Sequence, residues 1–62
     1  MKKSLWFVEV SATKSSWANA QVVTFTTLAN YRDEAKALVS EMANVRFPWP
    51  EYEWCFTATS KA

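Results

Sequence analysis

Few side chains in this 62-residue sequence could do covalent or acid–base chemistry. Histidine is absent and Cys55 is the single thiol. Cys–His and Ser–His–Asp nucleophile systems are therefore excluded, as are histidine-based zinc sites. Glycine is absent too, which removes any Gly-rich phosphate loop. Carboxylates remain. Asp33 and Glu34 are adjacent on an expected helix, so their side chains diverge and serve the helix dipole instead. Glu51 and Glu53 share one face of an expected strand, roughly 7 Å apart at a rise of about 3.3 Å per residue. That separation suits two carboxylates, but no neighbouring residue divides acid from base. Cys55, between Trp54 and Phe56, lacks the cationic neighbour that activates a thiol and is expected to pack buried or half-buried. The chain is expected to be no enzyme and to use no cofactor or metal.

Any site must then be a surface, positioned by the elements. Asn30–Val45 (NYRDEAKALVSEMANV) carries Tyr31, Ala35, Leu38, Met42 and Val45 at spacings of four and three, with Val39 beside them. This predicts a helix that turns one apolar stripe to the core. Asn30 is the expected N-cap, answered by Asp33 as in a capping box, and Pro48 stops the helix. Arg32, Lys36, Ser40, Glu41 and Asn44 would form its solvated face.

Three strands surround it. Leu5–Thr13 (LWFVEVSAT) alternates Trp6, Val8, Val10 and Ala12 against Leu5, Phe7, Glu9, Ser11 and Thr13, with the first set facing the core. Ala20–Leu28 (AQVVTFTTL) is assigned Val23 and Phe25 inward, with Ala29 following them, and Val22, Thr24, Thr26 and Leu28 outward. Glu51–Thr59 (EYEWCFTAT) sends Tyr52, Trp54, Phe56 and Ala58 to the helix and Glu51, Glu53, Cys55, Thr57 and Thr59 to the open side. Ser60–Ala62 is a short tail. Without glycine, the Lys14–Asn19 connection is a loop of four to six residues and not a two-residue hairpin turn. Residues 1–62 form one α+β domain, β-β-α-β: a three-stranded, mainly antiparallel sheet with one helix on one face. Strand order 2-1-3 is favoured. The alternative places the third strand beside the second through a right-handed crossover.

Half of the residues are hydrophobic and 16% aromatic, which excludes a disordered tail. A domain this small gains only ~3–5 kcal/mol of net stability unless it oligomerises or binds a partner. A net charge of +1 is too small for a DNA-coating protein and unlike an acidic DNA mimic. With no apolar run near the length of a membrane span and a Met1–Ser4 start that reads as strand and not signal peptide, a cytoplasmic location without membrane contact is expected.

One helix covers one face of a three-stranded sheet. Leu5, Phe7, Val22 and Leu28 then lie on the other, and at least one strand edge stays unpaired, features that mark interaction sites. Trp17 either folds back over one end of the core or is an exposed anchor. Trp49, held between Pro48 and Pro50, is expected against the helix end or sheet edge, with recognition as its alternative role. The expected partner-binding set is Phe7, Trp17 and Trp49, with Glu51 and Glu53 as a charged rim. The partner is a host protein or a second copy in a homodimer. Single-stranded nucleic acid is the alternative, stacking on Phe7, Trp17 and Trp49 with Lys2, Lys3 and Lys14 near one end, although Glu9, Glu51 and Glu53 would repel phosphate.

The segments LWFVEV, VTFTTLANYRDEAKAL and YEWCFTAT, in this order, make the chain resemble small phage-encoded inhibitors of bacterial RNA polymerase. The resemblance implies a compact accessory protein that occludes a host machine, either RNA polymerase or a defence complex. Those inhibitors look to carry arginines on the last strand, where this chain has Glu51 and Glu53 and no arginine, so no functional residue transfers.

Overall fold

A computed structural model describes residues 2–62; Met1, the first residue of the expected strand opening Met1–Ser4, lies outside the described residues. The elements are β1 Ser4–Lys14, β2 Gln21–Ala29, α1 Arg32–Arg46 and β3 Tyr52–Lys61. The strands form one sheet in the order β2-β1-β3, with β1 antiparallel to both neighbours. This is the expected β-β-α-β fold in the favoured strand order. The last strand runs further than expected. Ser60 and Lys61 belong to β3, and the Ala62 N–H donates to the Leu5 carbonyl at 2.9 Å.

Period-two alternation places the faces of β1 and β2 where the sequence put them. Val8, Val10, Ala12 and Ala29 are fully buried, while Trp6, Val23, Phe25 and Thr27 are half-buried beneath the helix. Trp6 Nε1 donates to the Ala29 carbonyl at 3.1 Å, so this indole is packed without losing its polar partner. The hairpin connection spans residues 15–20, closed by Trp17 N–H to the Lys14 carbonyl at 2.9 Å. Among the described residues none takes a positive φ, in keeping with a chain that has no glycine.

The helix sits differently from the expectation. Its buried residues are Ala35, Val39 and Ala43, whereas Tyr31, Leu38, Met42 and Val45 are exposed. At 100° per residue, the buried stripe is rotated by about 80° from the expected one. The reason lies in volume. The sheet face already supplies Trp6, Phe25, Trp54 and Phe56. Only small residues on the helix let its backbone approach that aromatic layer at close-packed density.

The helix also starts later than expected. Tyr31 is the N-cap, without a side-chain cap, and the Asn30 N–H donates to Glu34 Oε1 at 2.9 Å. Glu34, not Asp33, thus reaches back to the approaching chain. The assumed solvated face is partly structural. Asn44 Oδ1 accepts from Trp54 Nε1 at 3.1 Å, and Lys36 Nζ lies 5.1 Å from the Phe56 ring centroid. At the C-terminus Phe47 is buried, edge-on to Tyr52 with centroids 5.6 Å apart.

The largest departure in β3 is a bulge. Glu9 pairs with Ala58 and Val10 with Phe56, leaving Thr57 as the extra residue. It resets the alternation. Ala58 therefore joins the open face and is exposed, while half-buried Thr59 faces the helix, the reverse of the expectation. The Thr57 hydroxyl is held by Glu9, 2.8 Å from Oε1 and 3.2 Å from the carbonyl oxygen.

Candidate functional site

The face of the sheet away from α1 can be written as cross-strand rows. Leu28 lies beside Leu5; Thr26, Phe7 and Ser60 form the next row; Thr24, Glu9 and Ala58 follow; then Val22, Ser11 and Cys55; and Thr13 lies beside Glu53. Leu5, Phe7, Val22 and Leu28 are exposed here at 38–58%. No second layer covers them, so the apolar end of the face is formed by Leu5, Phe7 and Leu28 around hydroxyl-bearing neighbours. Glu9 and Glu53 are its charged strand positions, with no Lys or Arg among the described strand residues on this side.

The five expected contact residues do not converge. Phe7 stands at the apolar end, six residues from Thr13 along β1, a distance of about 20 Å. The other four gather at the far end of the molecule, on different sides. Trp17 is half-buried with its ring edge-on to Tyr52, centroids 5.5 Å apart, so it folds back over the core end on the helix side. Trp49 does the opposite of its expected packing and is 79% exposed. It stands on a turn closed by Tyr52 N–H to the Pro48 carbonyl at 3.1 Å, beside a cleft of about 350 Å³ lined with Asn44, Tyr52, Glu53 and Trp54.

Glu51 and Glu53 are both exposed and share a second cleft of about 370 Å³ with Thr13, Lys14, Ser15 and Pro50. Lys14 Nζ reaches Glu51 Oε2 at 3.8 Å and lies 5.1 Å from the Tyr52 ring centroid. The cleft thus offers a partly neutralised carboxylate and a free one, which is a charged rim and not an enclosed acid–base pair. Among the described residues no three His, Cys, Asp or Glu side chains cluster as metal ligands.

Lys14 is at the opposite end of β1 from Lys2 and Lys3, so the three do not form the expected basic end. Of the three proposed stacking residues, only Phe7 is on the open face. Cys55 is exposed, not packed, because its side of β3 has no covering layer. Sequence reasoning missed the outward helix stripe of Tyr31, Leu38, Met42 and Val45. Its signal was present in the spacing but was assigned to the core. Among the described residues no helix is long and apolar enough to cross a membrane. In comparisons with known proteins the chain matches no protein family, and no curated protein or solved structure is significantly similar to it.

Proposed function

We propose that the chain is a small non-enzymatic binding module that acts by seating a protein partner on the open face of its sheet and occluding it. The observation that carries this reading is the exposed cluster of Leu5, Phe7 and Leu28 on a face that no other element of the chain covers. Apolar patches of this kind mark interaction sites. Phe7 is the central anchor, Glu9 and Glu53 favour a partner with basic residues around an apolar contact, and Trp49 offers a separate exposed handle at the far end on its proline-flanked turn. The resemblance in segment order to phage inhibitors of RNA polymerase supports a host machine, a polymerase or a defence complex, as the occluded partner. Nucleic acid is the weaker reading, since the described strand positions of this face carry two carboxylates and no Lys or Arg to neutralise phosphates.

The test is a pull-down from bacterial lysate with the wild-type chain and with Phe7→Glu, followed by titration of the purified partner against both. Loss of a stoichiometric partner on Phe7→Glu is the expected result, with circular dichroism unchanged. Equal recovery by both chains sinks the reading. Salt-sensitive binding of an oligonucleotide, with no protein captured, would favour the alternative.

A further inference from the structure

The two edges of the sheet are built differently. At β3 the ladder is broken by the Thr57 bulge, Glu53 and Lys61 are exposed, and Pro48 and Pro50 precede the strand. Bulges, charges and prolines are the devices by which natural sheets keep an edge from pairing with another chain. β2 has none of them. Its nine residues run against β1 in an unbroken register, and the sequence from Ser15 to Tyr31 contains no Asp, Glu, Lys, Arg or Pro.

The outward helix stripe lies on the same side. Lys36 and Asn44 mark the flank of α1 that faces β3, through Phe56 and Trp54. Leu38, Met42 and Val45 are on the opposite flank by helical geometry, above β2. Their exposures are 38%, 36% and 84%, with Tyr31 at 60%.

We propose that this side is a homodimer interface: β2 pairs antiparallel with β2 of a second copy about a two-fold axis normal to the sheet, giving six continuous strands. The occupant follows from what one operation satisfies. A foreign strand would cap the edge and leave the helix stripe bare. The two-fold copy pairs the edge and also brings the two stripes together over the seam, as an isologous interface requires. Charge agrees. An uncharged strand meets itself without like-charge opposition, whereas self-docking through the open face would confront Glu9 and Glu53 with the same residues. A register centred on Phe25 sets Val22 against Leu28 of the partner subunit and Thr24 against Thr26 of the partner subunit, matching apolar with apolar and hydroxyl with hydroxyl. The need for it is visible in the core: of the eight buried hydrophobic residues among those described, four are alanines.

Sedimentation equilibrium between about 1 µM and 1 mM decides the matter. The wild-type chain is expected at twice its 7.1 kDa mass in the upper part of that range. Thr26→Lys places two ammonium groups diagonally across the seam, and Val45→Glu puts a carboxylate in the helix contact. Each is expected to raise the dissociation constant at least about tenfold, with the circular dichroism of the monomer retained because both positions are exposed. Phe7→Glu, on the open face, should leave the dimer intact. A monomer at every concentration overturns the proposal and leaves the edge to a foreign strand. A dimer that survives both interface variants, or one that dissociates on Phe7→Glu, also overturns it.

Discussion

On the β3 side of the central strand, polar groups close the structure: Asn44 is bonded to Trp54, Lys36 lies over Phe56, Thr57 is held by Glu9, and Lys14 reaches both Glu51 and Tyr52. On the β2 side the polar closures among the described residues are fewer: Trp6 Nε1 donates to the Ala29 carbonyl and the Asn30 N–H to Glu34, both at the end of the strand. The strand is uncharged and unbroken, and the helix above it shows Leu38, Met42 and Val45 to solvent. Both sides are amphipathic by the same alternation. They differ in whether the apolar surface is covered by the chain itself or left exposed. One side is closed by hydrogen bonds and cations, and the other leaves its apolar side chains exposed.

The comparison can be broken first at the layer both sides share. Val39 is fully buried at the centre of the helix contact. Val39→Ala is expected to cost about 2 kcal/mol in urea denaturation, whereas Val45→Ala should stay within about 0.5 kcal/mol under monomeric conditions. Equal costs would mean that the outward stripe is part of the core after all. Next comes the contrast between edges. Thr26→Lys on β2 weakens self-association at least about tenfold, while Cys55→Lys on the open face of β3 should change it by less than about twofold. A smaller effect is expected from Asn44→Ala. It removes the acceptor of the Trp54 indole and should cost about 1 kcal/mol, with a change in tryptophan near-UV circular dichroism. The smallest is Glu51→Gln. Its ion pair with Lys14 is largely solvated, so a loss below about 0.5 kcal/mol is expected, and it should disappear in high salt.

The strand faces were readable because β-branched and aromatic residues alternate with period two, and burial follows that period in β1 and β2 without exception at Val8, Val10, Val23 and Phe25. Strand order was only narrowed by element order, which favoured 2-1-3 and left open a crossover to the free side of the second strand; the structure takes the favoured order. The helix orientation was not. Apolar counting favours large residues such as Leu38 and Met42, but a sheet already filled with indole and phenyl rings selects Ala35 and Ala43. Ala58 was misplaced because a bulge adds one residue without a composition mark. Trp49 was misread because a large aromatic between prolines looks like packing material, while its neighbours turn it away from the core. Leu5, Phe7 and Leu28 were legible as residues of the uncovered face. The scattering of Trp17, Trp49 and Glu51 was not, because it depends on which side of each strand end the turns leave.

Thr57 has a further consequence at the level of the gene. It is supernumerary: removing its codon would leave Phe56 opposite Val10, Ala58 opposite Glu9 and Thr59 opposite Val8. The remaining pairs would keep their register, and β3 would lose the irregularity in its ladder with β1 together with the local twist a bulge brings. A molecule with one bare edge closes into a pair and stops. With two, each added copy presents a fresh edge, and association becomes open-ended. If β2 self-pairs as proposed, the deletion removes one of the guards on the second edge while Glu53, Lys61 and the two prolines stay in place. The expected outcome is a shift toward larger assemblies that light scattering of the deletion variant would register.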